Sequence, residues 1–352
     1  MILENIDGIR MNIWLQVDVN PSILDRVFED LASIQLELLS YPSDTIGMLD
    51  LHPNAAQHPT SSASTPSLGP YSLDAMEHER DGVRTTTSAP LTSAHTYYNY
   101  KLGVWKQRLG CQQNSITGPE DGKRKLMNHE ILKEHIEDIN QSPNEEGPFY
   151  LFHPDLYPSN VILDKRTFRI IGIIDWEGAC FLPLTSSCTP PKAMLLDHIG
   201  LLSPKSTQYI EFQKRAEQYI DILSKKERNV QSRLQRAGTR PAIAARMASY
   251  LANGLVFLIW AFDDVRYVDD VLWQHLAPSW YPNLKVNLDE AIARVPGETA
   301  QKRAEAIDDV FAAFAEHLIL HSPLDPQQWQ PWLGRKLEEL DEYDRELKYC
   351  MP

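Results

Sequence analysis

Asp155, Asn160 and Asp175 are the residues whose types and spacing can do chemistry. The first two stand in the run Phe149-Tyr-Leu-Phe-His-Pro-Asp-Leu-Tyr-Pro-Ser-Asn-Val-Ile-Leu-Asp164, an H-x-D-x4-N pattern that begins at His153. The third closes Ile170-Ile-Gly-Ile-Ile-Asp175 and is followed directly by Trp176 and Glu177. Phosphoryl transfer asks a protein for little covalent work. It needs a carboxylate to orient and deprotonate an acceptor hydroxyl, and oxygen ligands to hold magnesium across the phosphates. Asp155 suits the first role. Magnesium takes hard oxygen ligands and few carboxylates, so Asp175 supplies a charged oxygen and Asn160 a neutral amide oxygen that adds no repulsion toward a nucleotide. His153 reads as a hydrogen-bonded loop support rather than a proton carrier, since one base is enough. Glu177 reads equally as a helper behind the ligands and as a solvated or structural carboxylate.

The surrounding elements must deliver these side chains. Residues 149–153, 160–163 and 168–174 are short apolar runs separated by Pro, Asp and Lys-Arg turns, and they read as strands. Asp155 then lies on a loop, Asn160 at the start of the next strand and Asp175 at the exit of its hairpin partner, all at one end of a small sheet. Ile2, Leu3 and Ile6 alternate like a strand up to an Asp7-Gly8 turn. Pro21 opens a helical period through Ile23, Val27, Leu31, Ile34 and Leu38, with Asn20 placed to cap it and Pro42 ending it. From Leu51 to about Ala94, His, Pro, Ser and Thr take over, and the segment reads as a surface insertion. Helical patterns cover 94–109 and 119–140, and after Pro190 they cover 206–236, 241–273, 298–321 and 327–349. The fold class is α+β, a small sheet carrying loops packed on a large helical block.

Composition narrows the function. The 352 residues suffice for one large or two small domains. With 34 Lys+Arg against 48 Asp+Glu, the net charge of −14 argues against a nucleic-acid partner, which needs a basic face. Cys111, Cys180, Cys188 and Cys350 form no C-x-x-C pair and no zinc spacing, and read as reduced thiols of a cytoplasmic protein. Glu4 and Asp7 stand where a secretory signal would be basic. The most apolar stretch, 254–262, is about half of a bilayer span and is closed by Asp263 and Asp264, so no membrane partner is expected. Gly118-Pro-Glu-Asp-Gly-Lys123 echoes a phosphate-binding loop but is one residue short, with Arg124 where Ser or Thr belongs, and reads as a helix entrance. His129, Glu130 and His135 miss the zinc-protease spacing. Phe257, Trp260 and Phe262 read as core packing.

The runs HPDLYPSNVILD (153–164) and IIGIIDWEGACFLP (170–183) resemble the catalytic loop and metal-binding aspartate of the aminoglycoside phosphotransferase and choline kinase superfamily, most of all its fungal branch. Pro154 stands where that family usually has Gly, and Tyr157 where it often has a second His; neither is a ligand-bearing position. The resemblance implies a protein-kinase-like fold with Asp155 as catalytic base, Asn160 and Asp175 as magnesium ligands, and His153 supporting the loop. It implies transfer of a phosphoryl group from ATP or GTP to a hydroxyl of a small molecule. A looser likeness extends through 45–49, 69–73 and the helices after Pro190. The net charge favours a cationic acceptor by steering, whereas Asp263, Asp264, Asp269 and Asp270 read first as a solvated helix face.

Family members begin with an amino-terminal β lobe that holds a phosphate-covering loop and a nucleotide lysine. Residues 1–8 look like the hinge strand after that lobe, so 9–352 is expected to be the carboxyl-terminal lobe, with 51–94 an insertion, 190–352 a helical subdomain and the amino-terminal lobe largely absent. Hinge contacts would then come from the backbone of Glu4, Asn5 and Ile6. Half a site predicts weak or absent catalysis. The alternative readings are a non-catalytic, pseudokinase-like protein that binds a protein partner or a second copy through the surface the lobe would cover, and an incomplete gene model.

Overall fold

The computed structural model describes residues 6–12, 20–49, 68–70, 86–136, 139, 146–176, 178–195, 206–233, 242–263, 268–294, 300–321 and 326–350. In chain order the first elements are β1 (Ile9–Arg10), α1 (Pro21–Leu38), β2 (Pro42–Ser43), β3 (Gly47–Leu49), β4 (Leu68–Gly69), α2 (Ala94–Cys111) and α3 (Pro119–Glu134). Then come β5 (Phe149–Phe152), β6 (Val161–Leu163), β7 (Ile170–Ile173), β8 (Cys180–Leu182), α4 (Leu184–Ser187), α5 (Thr207–Arg233), α6 (Ile243–Asn253) and α7 (Leu255–Asp263). The last are α8 (Val268–Val271), a π-helical turn (Leu272–Leu276), α9 (Ala277–Trp280), α10 (Pro282–Arg294), α11 (Ala300–His321) and α12 (Pro326–Cys350). The mixture is mostly helical, consistent with α+β. Two compact units divide the chain: Met1–Ala75, Thr86–Tyr97 and Ile139–Ile259 form one, and Met76–Thr85, Tyr98–Asp138 and Trp260–Pro352 the other.

In the first unit, Asn20 caps α1 as its position predicts, its side chain accepting the Ser22 backbone N–H at 2.9 Å with Pro21 in the first turn. Leu24, Val27, Phe28, Leu31, Ala32 and Leu36 recur at helical spacing and are buried. They share a core with Tyr219, Leu223, Met247, Val161 and Leu163, so one apolar cluster underlies both the helices and β6. Burying each Leu, Val, Phe or Met side chain among them contributes about 1.5–3 kcal/mol. α5 packs on α1. Phe28 and Tyr219 meet edge to face at 5.9 Å, and the Tyr219 hydroxyl donates to Gln35 Oε1 at 2.5 Å. The buried carboxylate of Glu227 accepts the first N–H groups of α6, from Ile243 at 2.7 Å and Ala244 at 3.2 Å. Burial raises the Glu227 pKa.

Two antiparallel sheets replace the single small sheet expected. One has the order β1-β6-β7, with Ile9 opposite Leu163 and Ile162 opposite Gly172. The other has the order β2-β5-β8-β3-β4, with Leu151 opposite Phe181 and Met48 opposite both Cys180 and Gly69. β5 and β6, which flank the H-x-D-x4-N pattern, therefore belong to different sheets, and the loop bridges them. A strand follows Gly8, at Ile9–Arg10, and Ile6 is not part of it; the alternation at Ile2 and Leu3 lies outside the described residues. Gly8 is a close approach, not a turn: a Cβ there would lie 2.3 Å from Ile162 Cγ2 and 2.8 Å from the Leu163 carbonyl oxygen. Within 51–94, the described pieces join the second sheet, β4 as its edge and Leu91 through paired backbone bonds with Ile46 at 2.7 and 2.8 Å.

In the second unit, α3 packs against α11 and α12. Lys336 of α12 is buried at 2% exposure because it has work to do there. Its ammonium donates to the carbonyls of Gln112 at 2.7 Å and Gly110 at 3.3 Å, at the end of α2, and to Glu339 at 2.5 Å. The single helix expected over 241–273 is broken. Gly254 takes φ +80°, a left-handed stop to α6, and the chain bends by 94° between α6 and α7. Among the described residues no single helix is long and apolar enough to cross a membrane. α10 carries no pattern that was read as a helix. His129 lies against Glu130 and Trp105, whereas His135 stacks on Trp280 at 3.5 Å.

Candidate active site

The loop after β5 folds back on itself at once. Tyr157 N–H donates to the Asp155 carbonyl at 2.8 Å and Asn160 N–H to the Tyr157 carbonyl at 3.0 Å, with a 3-10 turn over Pro158–Asn160. That turn swings Asn160 under Asp155. The Asn160 Nδ2 group donates to Asp155 Oδ2 at 2.7 Å and to the Asp155 carbonyl at 2.8 Å. Both amide protons are thereby used, and Asn160 Oδ1 makes no hydrogen bond among the described residues. Asn160 is buried and Asp155 exposed.

The second arm comes off β7. Ile174 N–H donates to the Asn160 carbonyl at 3.0 Å, tying the arm to the loop. His153 Nε2 lies 3.0 Å from the Ile174 carbonyl. A carbonyl only accepts, so Nε2 carries the proton and the buried Nδ1, without a partner among the described residues, carries the lone pair. Trp176 packs its edge against His153 at 4.7 Å and donates from Nε1 to the Ile173 carbonyl at 2.9 Å. Asp175, between these anchored neighbours, is exposed at φ +65°, a left-handed conformation that costs a non-glycine residue about 1–2 kcal/mol. The neighbouring bonds hold it there.

The electrostatics agree with that geometry. Burial pushes the His153 pKa below its ordinary value, outweighing the Ile174 carbonyl and the charges of Asp155 and Asp175, which act the other way. Both carboxylates therefore act on one imidazole. Of the residues singled out from sequence, Asp155, Asn160 and His153 gather with the backbone that carries Asp175. Ile6 is exposed, with its Cδ1 only 3.0 Å from where a Cβ on Gly172 would stand, so its side chain lies over β7. Glu4, Asn5 and Glu177 lie outside the described residues.

Two supports lie outside the residues singled out as candidate site residues. Asp30, on α1, accepts Ile170 N–H at 3.0 Å and pairs with Arg169, fixing the start of β7 from outside the hairpin. Nothing local marks it. Asp164 ties the hairpin tip, accepting Thr167 N–H at 2.6 Å and Arg166 N–H at 3.1 Å. That Asx turn was legible in the Asp-Lys-Arg-Thr sequence.

A model of the phosphotransferase enzyme family matches residues 95–185, from α2 through α4. The match covers about a quarter of the chain. The resemblance to the aminoglycoside phosphotransferase and choline kinase superfamily, carried by 153–164 and 170–183, falls inside or at the edge of that match. No curated protein and no solved structure matches the chain. The matched segment contains Asp155, Asn160 and Asp175, and its donors suit magnesium: the Asn160 amide oxygen makes no hydrogen bond among the described residues and the Asp175 carboxylate is exposed. Among the described residues no three His, Cys, Asp or Glu side chains gather to hold a metal ion. One or two carboxylates are what magnesium usually takes when phosphate and water supply its other ligands.

Proposed function

We propose that this site transfers a phosphoryl group from a nucleoside triphosphate, ATP or GTP, to a hydroxyl of a small molecule. The observation that carries the reading is the pair of hydrogen bonds that Asn160 Nδ2 donates to Asp155. It leaves an amide oxygen for a cation and a carboxylate oxygen, Asp155 Oδ1, for an acceptor, and holds the two in one fixed relation. Asp155 orients the hydroxyl and takes its proton as the new bond forms. Asn160 Oδ1 and Asp175 would hold magnesium, which would supply positive charge to offset that of the phosphates. Neutral His153 holds the Ile174 carbonyl and, through it, the left-handed turn that presents Asp175. Glu177 would steady those ligands, and the backbone of Glu4, Asn5 and Ile6 would meet the nucleotide base.

Calorimetry with magnesium and ATP or GTP tests this, comparing wild type with Asp175→Ala, alongside turnover of wild type and Asp155→Ala across a panel of neutral and cationic alcohols. Magnesium-dependent nucleotide binding that Asp175→Ala abolishes, with turnover lost in Asp155→Ala, supports the proposal. Binding untouched by Asp175→Ala removes the metal assignment. Turnover that survives Asp155→Ala removes the base.

A further inference from the structure

His317 and His321 take no part in the site above. They stand one turn apart at the carboxyl end of α11, both exposed, with ring centroids 4.1 Å apart and planes inclined by 35°. An i, i+4 spacing places them on one helix face. His321 Nδ1 lies 2.8 Å from the His317 carbonyl. That carbonyl can only accept, so Nδ1 carries the proton and Nε2 presents its lone pair. Metal-ligating histidines are commonly set this way, the second nitrogen fixing tautomer and ring orientation.

The surroundings favour a cation. The end of a helix carries partial negative charge from its unpaired carbonyls. Glu316, beside His317, pairs with the ammonium of Lys123 at 3.4 Å. With bonds of about 2 Å from each nitrogen, two imidazoles at this separation can reach one ion. Imidazole suits copper, nickel and zinc, whereas magnesium prefers oxygen.

We infer that His317 and His321 form a two-imidazole site for a divalent transition cation of the copper, nickel or zinc class, with water completing its coordination. Bound there, the ion links two successive turns and holds the last turn of α11 closed. The site is independent of the phosphoryl-transfer reading and stands or falls without it.

Titrating NiCl2 and ZnCl2 into the full chain by calorimetry, in a non-chelating buffer, tests the inference with wild type, His317→Ala, His321→Ala and, as a control, His95→Ala on the exposed face of α2. The expected result is binding near one equivalent, weakened about tenfold or more by either α11 substitution and unchanged by His95→Ala. Nickel should raise the thermal midpoint of wild type and not that of His317→Ala. Both positions are exposed, and matching circular dichroism spectra establish that the variants fold. Equal affinity and stoichiometry in wild type and both α11 variants, or no binding in wild type, would overturn the site.

Discussion

Asn160 gives both of its amide protons to Asp155, one to the carboxylate at 2.7 Å and one to the backbone carbonyl at 2.8 Å. The amide plane and the carboxylate are thereby oriented together, and a change at Asn160 acts on both proposed roles, cation ligand and base.

Asn160→Ala removes the ligand oxygen and frees Asp155 to rotate. Turnover should fall by about 10–100-fold, with weaker dependence on magnesium. Asn160→Asp keeps the shape but sets a like charge against Asp155, which raises the proton affinity of the pair. Its pH–rate profile should move to higher pH. Steady-state rates across pH check both, and an Asn160→Asp profile superimposable on wild type would break the link between the two residues.

His153 makes stability depend on pH in a definite direction. Its folded pKa lies below the ordinary 6.5 because of burial, so the unfolded chain takes up a proton first as pH falls. The contribution is complete above pH 6.5 and is lost as pH drops through the folded value. Denaturant midpoints of wild type should decline between pH 7 and 5, and less steeply in His153→Gln. His129, lowered for the same reason, contributes to the slope in both proteins.

Gly8 and Gly103 should respond oppositely to alanine. At Gly8 the added methyl meets Ile162 and the Leu163 backbone, so the β1–β6 pairing must shift, at about 1–3 kcal/mol. A Cβ added at Gly103, inside α2, would meet nothing within 4 Å beyond its chain neighbours and its own helix backbone among the described residues, and alanine should stabilise by about 0.5–1 kcal/mol. Urea titrations of both variants decide it, and equal signs would contradict the packing described.

Lys336→Met keeps the apolar stem and removes the ammonium that serves Gly110, Gln112 and Glu339. Leaving carbonyls without their donor costs about 1–3 kcal/mol. The urea midpoint should fall with little change in slope, whereas substitution of the exposed Lys285 should leave it in place.

Local chemistry made much of this chain legible. Asn20 and Pro21 announce α1, the period of Leu24, Val27, Leu31 and their neighbours declares its buried face, and the pattern from His153 to Asn160 marks the loop, because caps, helical periods and tight turns depend on residues a few positions apart. β2, β3, β4 and β8 went unread, since two or three residues carry no period and take strand form only by pairing with partners far along the chain. Tertiary structure alone decided that β5 and β6 enter different sheets, that Asp30 secures β7, and that Asp175 stands at positive φ, held by contacts that His153 and Asn160 make from another segment. Sequence by itself determined which polar groups the loop and the end of β7 carry; that His153 and Asn160 meet the backbone beside Asp175 came from long-range hydrogen bonds and a shared apolar core, which no local spacing encodes.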